Sequence, residues 1–185
     1  MGKIACIGWG SLIWNPGDLI LEGDWQSDGP ALPIEFLRQS SGNRLTLVIS
    51  EATTPTTTLW ANLRATSLPE AMEMLRIREG FRTNKWIGHW PSSDVHQVSS
   101  TIEEWAKDRN LNGVVWTAAP PKWNDSNGSA PSLEEAIAWL QSLGDDAKDA
   151  KEYVERAPEA VRTPFRDAFE MELGWIPKPD RGLSA

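Results

Sequence analysis

The chain has 185 residues, of which 40% are hydrophobic and 24% charged, and its net charge is −8. This size and composition are typical of one globular domain, and the negative charge argues against general affinity for nucleic acid or anionic lipid. The single cysteine, Cys6, excludes an internal disulfide framework, and no stretch approaches the roughly 20 apolar residues of a membrane span. Because the N-terminus also lacks a signal-peptide pattern, we expect one cytoplasmic domain over residues 1–185, with 176–185 as a tail.

Short apolar runs in the first half of the chain predict β-strands. A cluster of turn-forming residues at 40–43 separates two of these runs, which predicts a hairpin. A later run, at 112–118, is followed by two prolines that end it. We expect strands at 3–8, 33–38, 44–50, 57–64, 86–90 and 112–118.

Helix signals are clearer than the strand signals. Ser67 and Glu70, and again Ser132 and Glu135, have the Ser-x-x-Glu spacing of a capping box, and Gly80 is a typical helix stop. Strands and helices do not alternate regularly, which disfavours a doubly wound sheet and favours an α+β fold. We expect helices at 67–79, 101–109, 132–143, 146–156 and 159–173, and a loop at 124–129.

The first strand runs into a glycine-containing segment made of Gly8, Trp9, Gly10, Ser11 and Leu12. A Gly-x-Gly sequence after a buried strand predicts a loop whose backbone comes close to another group. Such a loop offers backbone N–H donors, which suit a carboxylate or a developing oxyanion. We therefore predict a ligand-binding loop after the first strand.

Glu79 is the candidate catalytic group. It continues an apolar stripe at helical spacing, formed by Leu68, Met72 and Leu75. A carboxylate at the end of such a stripe points inward, where burial and the helix C-terminus both raise its pKa, as a general base requires. The alternative is a glutamate that turns to solvent in the last turn of the helix.

Other site patterns are incomplete. The Gly-x-Gly segment lacks the third glycine of a dinucleotide fingerprint, since Ile13 occupies that position, and Ser11 is outside a Gly-x-Ser-x-Gly elbow. The spacing of His89, Asp94 and His96 matches no common metal site, so a surface loop is the default interpretation. We expect no metal and no cofactor.

The sequence Trp-Gly-Ser-Leu-Ile-Trp-Asn-Pro at 9–16 resembles the Tyr-Gly-Ser-Leu-Ile-Trp-Asn-Pro opening of the gamma-glutamylcyclotransferase-like proteins, in particular their ChaC-type branch. Trp9 replaces the usual tyrosine and lacks its phenolic hydroxyl. Residues 78–81, Arg-Glu-Gly-Phe, look like the Arg-Glu-x-x-Gly-Tyr segment of that branch, shortened and with Phe81 in place of tyrosine. Phe36, Ser40 and Arg44 keep the Phe-x3-Ser-x3-Arg spacing of its second strand and turn.

This resemblance covers about the first 80 residues and implies a small mixed β-barrel flanked by helices. It also implies a γ-glutamyl substrate whose α-amine attacks its own γ-carbonyl and releases 5-oxoproline. By analogy, Glu79 is the base and residues 8–12 hold the glutamyl unit. Ser40 and Arg44 are further binding candidates, although Arg44 also fits a solvent-exposed turn.

Two hypotheses follow from the sequence. The first is a cofactor-independent γ-glutamyl cyclotransferase that acts on a γ-glutamyl amine, peptide or glutathione-like compound. The second is a non-catalytic module on the same fold that binds an amino-acid-like ligand. The leaving group, the oligomeric state and the identity of any pocket-lining tryptophans among the eleven in the chain stay open.

Overall fold

The strand Ile4–Gly8 (β1) lies at the centre of the largest sheet in a computed structural model that describes residues 2–92 and 98–178. All its residues are buried, as expected for a short continuous apolar run covered on both faces. The other strands are β2 Leu21–Gln26, β3 Ala31–Leu32, β4 Ile34–Ser40, β5 Arg44–Ile49, β6 Thr56–Thr57, β7 Leu59–Leu63, β8 Ile87–Trp90, β9 Gly113–Thr117, β10 Lys122–Trp123 and β11 Ser126–Asn127.

The described strands form three sheets. The largest has the order β2-β7-β1-β9-β8, in which β1 is antiparallel to β7 and parallel to β9. The second has the order β11-β10-β4-β5, and the third pairs β3 with β6. No closed barrel is found in the described part of the chain, so the observed fold is a mixed α+β arrangement of separate sheets and helices.

Five α-helices pack against these sheets: α1 Leu68–Glu79, α2 Ser99–Asp108, α3 Leu133–Ser142, α4 Lys148–Arg156 and α5 Pro164–Leu173. Helix α1 lies on β9, α4 on β5 and α5 on β4. One hydrophobic cluster runs through the sheets and helices. Within the described residues, no helix is long and apolar enough to cross a bilayer.

The start of α5 is attached to the second sheet by a buried carboxylate. Glu35 of β4 accepts hydrogen bonds from the Thr163 hydroxyl at 2.5 Å, from its neighbour Phe36 N–H at 2.8 Å and from Phe165 N–H at 3.2 Å. Burial raises the pKa of this carboxyl above its usual value, and the three donors partly offset that effect. Glu35 thus couples the late helices to the early sheet.

Several predicted helix ends and one predicted turn are confirmed. Ser67 caps α1, Gly80 ends it with a φ of 69°, and the β4–β5 hairpin forms around residues 40–43. The capping box at Ser132 is complete. The box at Ser67 is only half formed, because the Glu70 carboxylate bonds to the backbone and hydroxyl of Thr66 instead.

Other predictions are wrong. Strand β2 was not predicted, because only Trp25 of its six residues is buried and no apolar alternation marks it. The predicted loop at 124–129 contains β11 and the tight turn of the β10–β11 hairpin, with positive φ at Asn124 and Asp125. Helix α5 starts at Pro164 instead of residue 159, since Thr163 caps it, and α2 starts two residues early, at Ser99.

Candidate active site

A cavity of about 490 Å³ lies where the segment after β1 meets the end of α1 and the β4–β5 hairpin. Helix α4 and the end of β9 complete its wall. The candidates that line it are Trp9, Gly10, Ser11, Leu12, Ser40, Arg44 and Glu79. The structure therefore brings together side chains that are up to 70 residues apart in the sequence.

Gly8 is the candidate that does not line the cavity. It is the last residue of β1, and a Cβ atom there would lie 3.0 Å from the Trp25 ring and 3.1 Å from Ile13. Its small size is explained by close packing in the core. The ligand-facing part of the segment begins at Trp9.

The segment after β1 is held by its aromatic residue. Trp9 is buried, and its indole Nε1 donates to the Leu47 carbonyl oxygen of β5 at 3.1 Å. In the part of the chain that the structure describes, the backbone N–H groups of Gly10, Ser11 and Leu12 donate to no other residue. Residues of the cavity wall thus carry backbone donors that have no protein acceptor.

Glu79 points inward from the last position of α1. Leu75, one turn earlier on the same face, is fully buried, and the Glu79 side chain is only 17% exposed. Glu79 lines the cavity, and its carboxylate accepts a hydrogen bond from the Arg78 guanidinium at 2.6 Å. The negative charge of this carboxylate is therefore compensated by the neighbouring guanidinium.

Arg78 was not assigned a role from the sequence. Its side chain is 10% exposed, and besides Glu79 it donates to the Ser11 hydroxyl at 3.0 Å and to the Asn15 carbonyl at 2.7 and 3.1 Å. One guanidinium thus links the end of α1 to the segment after β1. In the sequence, only its position next to the candidate base pointed to Arg78. Sequence spacing does not show which groups an arginine side chain reaches.

Tyr153 is a second residue that sequence reasoning missed. It projects from α4 into the cavity wall, where its hydroxyl accepts a hydrogen bond from Leu47 N–H at 3.4 Å. Its ring makes edge contacts with Trp14 and Phe36, at centroid distances of 5.5 and 6.3 Å. Burial raises the pKa of Tyr153 to about 12. The phenol is therefore a neutral group at physiological pH.

Three arginines give the cavity a positive wall. Arg44 donates to the Ser41 carbonyl and hydroxyl, at 2.8 and 3.0 Å, so it braces the hairpin turn and also lines the cavity. Arg38 stacks 5.0 Å from the Trp86 ring and donates to the Pro120 carbonyl at 2.7 Å. Together with Arg78, these two arginines outnumber the two carboxylates that line the cavity, Glu79 and Asp18. The cavity is thus locally positive although the whole chain has a net charge of −8.

Of the histidine motif, only His89 lies among the described residues. His89 lies half-buried on β8 and does not line the cavity, and Asp94 and His96 lie outside the described residues. Across residues 2–92 and 98–178, no group of three or more His, Cys, Asp or Glu side chains is arranged to hold a metal ion. Cys6 is buried beneath the site, and burial raises its pKa far above the usual range.

Comparison with known proteins finds no family model, no curated protein and no solved structure that matches this chain. The chemistry of the cavity is therefore the basis for assigning a function.

Proposed function

We propose that this protein is a γ-glutamyl cyclotransferase that releases 5-oxoproline from a γ-glutamyl amine, peptide or glutathione-like compound. One observation carries the proposal: Glu79 and residues 10–12, whose N–H groups have no protein acceptor among the described residues, line the same cavity. A base and a group of oxyanion donors are the two elements that internal aminolysis requires.

The proposed reaction uses one molecule as both nucleophile and electrophile. Glu79 accepts a proton from the α-ammonium group, and the resulting amine attacks the γ-carbonyl carbon. A ring C–N bond forms, and the carbonyl electron pair moves onto oxygen. The ring nitrogen then passes its extra proton to the leaving nitrogen, the oxyanion collapses and the bond to the leaving amine breaks. The protonated Glu79 returns its proton to the released amine, which departs as an ammonium ion and leaves Glu79 as a carboxylate. Holding the substrate folded removes most of the entropic barrier.

The charges of the cavity support a ligand with this chemistry. A γ-glutamyl group carries an α-carboxylate, and an arginine fork is well suited to bind it. Arg44 is the candidate for this contact, since Ser41 occupies only two of its nitrogen atoms. Arg78 is engaged by Glu79, Ser11 and Asn15, so it supports the base rather than binding the substrate.

We also propose that the separate sheets correspond to the small mixed barrel that the resemblance implies, with helices on its outside.

We propose a cytoplasmic location for the protein. It is supported by the single, buried cysteine, since a protein without disulfides does not require an oxidising compartment.

The test is a 5-oxoproline assay of the purified protein on a panel of γ-glutamyl amines, dipeptides and tripeptides. Glu79→Gln keeps the shape and removes the base, so we expect kcat to fall by about 10²- to 10⁴-fold. Glu73→Gln is the matched control, because Glu73 lies on the same helix, half exposed and paired with Arg76. Activity that survives in the Glu79→Gln variant would overturn the assigned mechanism.

The second candidate is a non-catalytic module that binds an amino-acid-like ligand. The Arg78–Glu79 ion pair favours it, because a carboxylate held by a guanidinium is also suited to binding a ligand ammonium without reacting. Absence of turnover on the whole panel, together with calorimetric binding of the same compounds, would support this candidate over the enzyme.

A further inference from the structure

Tyr153 places a hydroxyl group against the segment that follows β1. A Cβ atom added to Gly10 would lie 2.3 Å from the Tyr153 oxygen, so the phenol occupies the space that a side chain at this position would need. Gly10 begins the run of unpaired N–H groups in the cavity wall. The hydroxyl therefore lies against Gly10, the first residue of this run.

The proton of this hydroxyl is uncommitted. A tyrosine O–H is one donor and an acceptor, and here the oxygen accepts from Leu47 N–H. Within the described residues, the Tyr153 O–H donates to no protein group, although the residue is only 6% exposed. A buried donor is costly to leave unpaired, so a ligand in the cavity is its natural acceptor.

We propose that Tyr153 is an additional catalytic residue that donates its O–H to the oxyanion formed at the substrate γ-carbonyl, beside the N–H groups of residues 10–12. This inference rests on the proposed cyclotransferase function and names a residue of the same site. The phenol keeps its proton throughout: it forms a hydrogen bond that strengthens as negative charge develops on the oxygen.

The surroundings of Tyr153 support a permanent donor. Burial and the negative charge of Glu79 both raise the pKa of the phenol, to about 12. The hydroxyl is therefore protonated at physiological pH. The ring contacts with Trp14 and Phe36 hold its orientation, which is the preorganisation that an oxyanion donor needs.

The first test is Tyr153→Phe, which removes the hydroxyl and keeps the ring. Loss of one oxyanion donor lowers kcat by about 10²- to 10³-fold, and KM should change by less than about threefold. Binding of a γ-glutamyl analogue that lacks the α-amine, measured by calorimetry, should be nearly unchanged. Thermal unfolding checks that the variant is folded.

A second test does not depend on a substitution that removes a hydrogen bond. Tyr153 is the only tyrosine of the chain, so biosynthetic incorporation of 3-fluorotyrosine labels this position alone. The fluorine resonance should shift on titration with 5-oxoproline, because the product carbonyl replaces the oxyanion beside the hydroxyl. In a control titration with an amine that carries no carbonyl group, the fluorine resonance should not shift.

The outcomes separate the two proposals. If the wild-type protein is active and Glu79→Gln abolishes activity while Tyr153→Phe keeps kcat within threefold, only the role of Tyr153 is overturned. A fluorine resonance unmoved by 5-oxoproline that demonstrably binds would overturn it as well. If the wild-type protein forms no 5-oxoproline from any panel member, both proposals fail together.

Discussion

The Arg78 guanidinium donates to the Glu79 carboxylate at 2.6 Å, although the two residues are consecutive at the end of α1. The same guanidinium reaches the Ser11 hydroxyl and the Asn15 carbonyl. The candidate base and the candidate donor segment are thus held by one side chain. Their relative position is the feature on which the proposed chemistry depends.

Replacement of Arg78 by lysine should impair catalysis more than folding. Lysine keeps the charge and loses the fork that reaches three partners, so Glu79 and the segment at 9–12 are no longer held together. We expect kcat to fall about 10- to 100-fold, and the free energy of unfolding by about 1–3 kcal/mol. Steady-state kinetics and urea unfolding measure the two effects. The control is Arg162→Lys, whose ion pairs lie away from the cavity, and equal kinetic losses in both variants would contradict the assignment.

Gly10 and Tyr153 should be energetically coupled. In Gly10→Ala the new methyl group would meet the Tyr153 hydroxyl, which we expect to lower the free energy of unfolding by about 1–3 kcal/mol. Combining it with Tyr153→Phe should recover about 1 kcal/mol or more, because the clashing oxygen is gone. The measurement is a double-mutant cycle by chemical unfolding.

The matched cycle uses Gly8→Ala with Tyr153→Phe. A Cβ at Gly8 meets Trp25 and Ile13 and not Tyr153, so these two changes should be additive. Additivity in the Gly10 cycle as well would mean that the close approach of the phenol is not what requires glycine there.

Arg44 should affect substrate binding and leave the chemical step intact. If its free donors hold the α-carboxylate, Arg44→Gln raises KM about 10-fold or more with little change in kcat, since a uniform binding contact is lost. Initial-rate kinetics measure the two parameters. Arg64→Gln, at an exposed position outside the cavity, provides the baseline. A KM that stays at the wild-type value would assign Arg44 to the hairpin turn alone.

Alkaline pH should destabilise the protein partly through Tyr153. Its folded-state pKa of about 12 exceeds the ordinary tyrosine pKa of 10.0, so the unfolded state loses the proton first as pH rises. The contribution to stability is complete below pH 10 and is lost progressively toward pH 12, up to about 2 to 3 kcal/mol. Urea unfolding at pH 8 and pH 11 should show a smaller loss for Tyr153→Phe than for the wild type. Identical losses would show that other groups, such as the buried Cys6 thiol, account for the effect.

The buried carboxylate of Glu35 should matter for folding and not for activity. Glu35→Gln replaces one carboxylate oxygen by an NH2 group, so at least one of the three donors that Glu35 binds, the Thr163 hydroxyl and two backbone N–H groups, loses its acceptor. We expect the free energy of unfolding to fall by about 1–3 kcal/mol and kcat to remain unchanged in the folded fraction. Glu22→Gln, on the exposed side of β2, serves as the control. A fall in kcat without a fall in stability would contradict this structural role.

Local chemistry made several elements predictable. Ser67 and Gly80 bound α1, Ser132 and Glu135 start α3, and turn formers at 40–43 close the β4–β5 hairpin, because each signal acts within a few residues. Strand β2 carries no such signal. It is an edge strand with one buried residue, and its partner β7 is distant in the sequence. Its strand conformation is therefore determined by hydrogen bonding to β7 and not by a hydrophobic pattern in its own sequence.

The sequence by itself determined the caps of α1 and α3, the buried first strand, the inward stripe that ends at Glu79 and the glycine-containing segment at 8–12. Only the tertiary structure decided that this segment and Glu79 line one cavity, that Gly8 belongs to the core, and that Arg78 and Tyr153 belong to the site. The physical reason is that capping and periodicity are local, whereas the approach of Tyr153 to Gly10 joins residues 143 positions apart and follows from how α4 packs on β5.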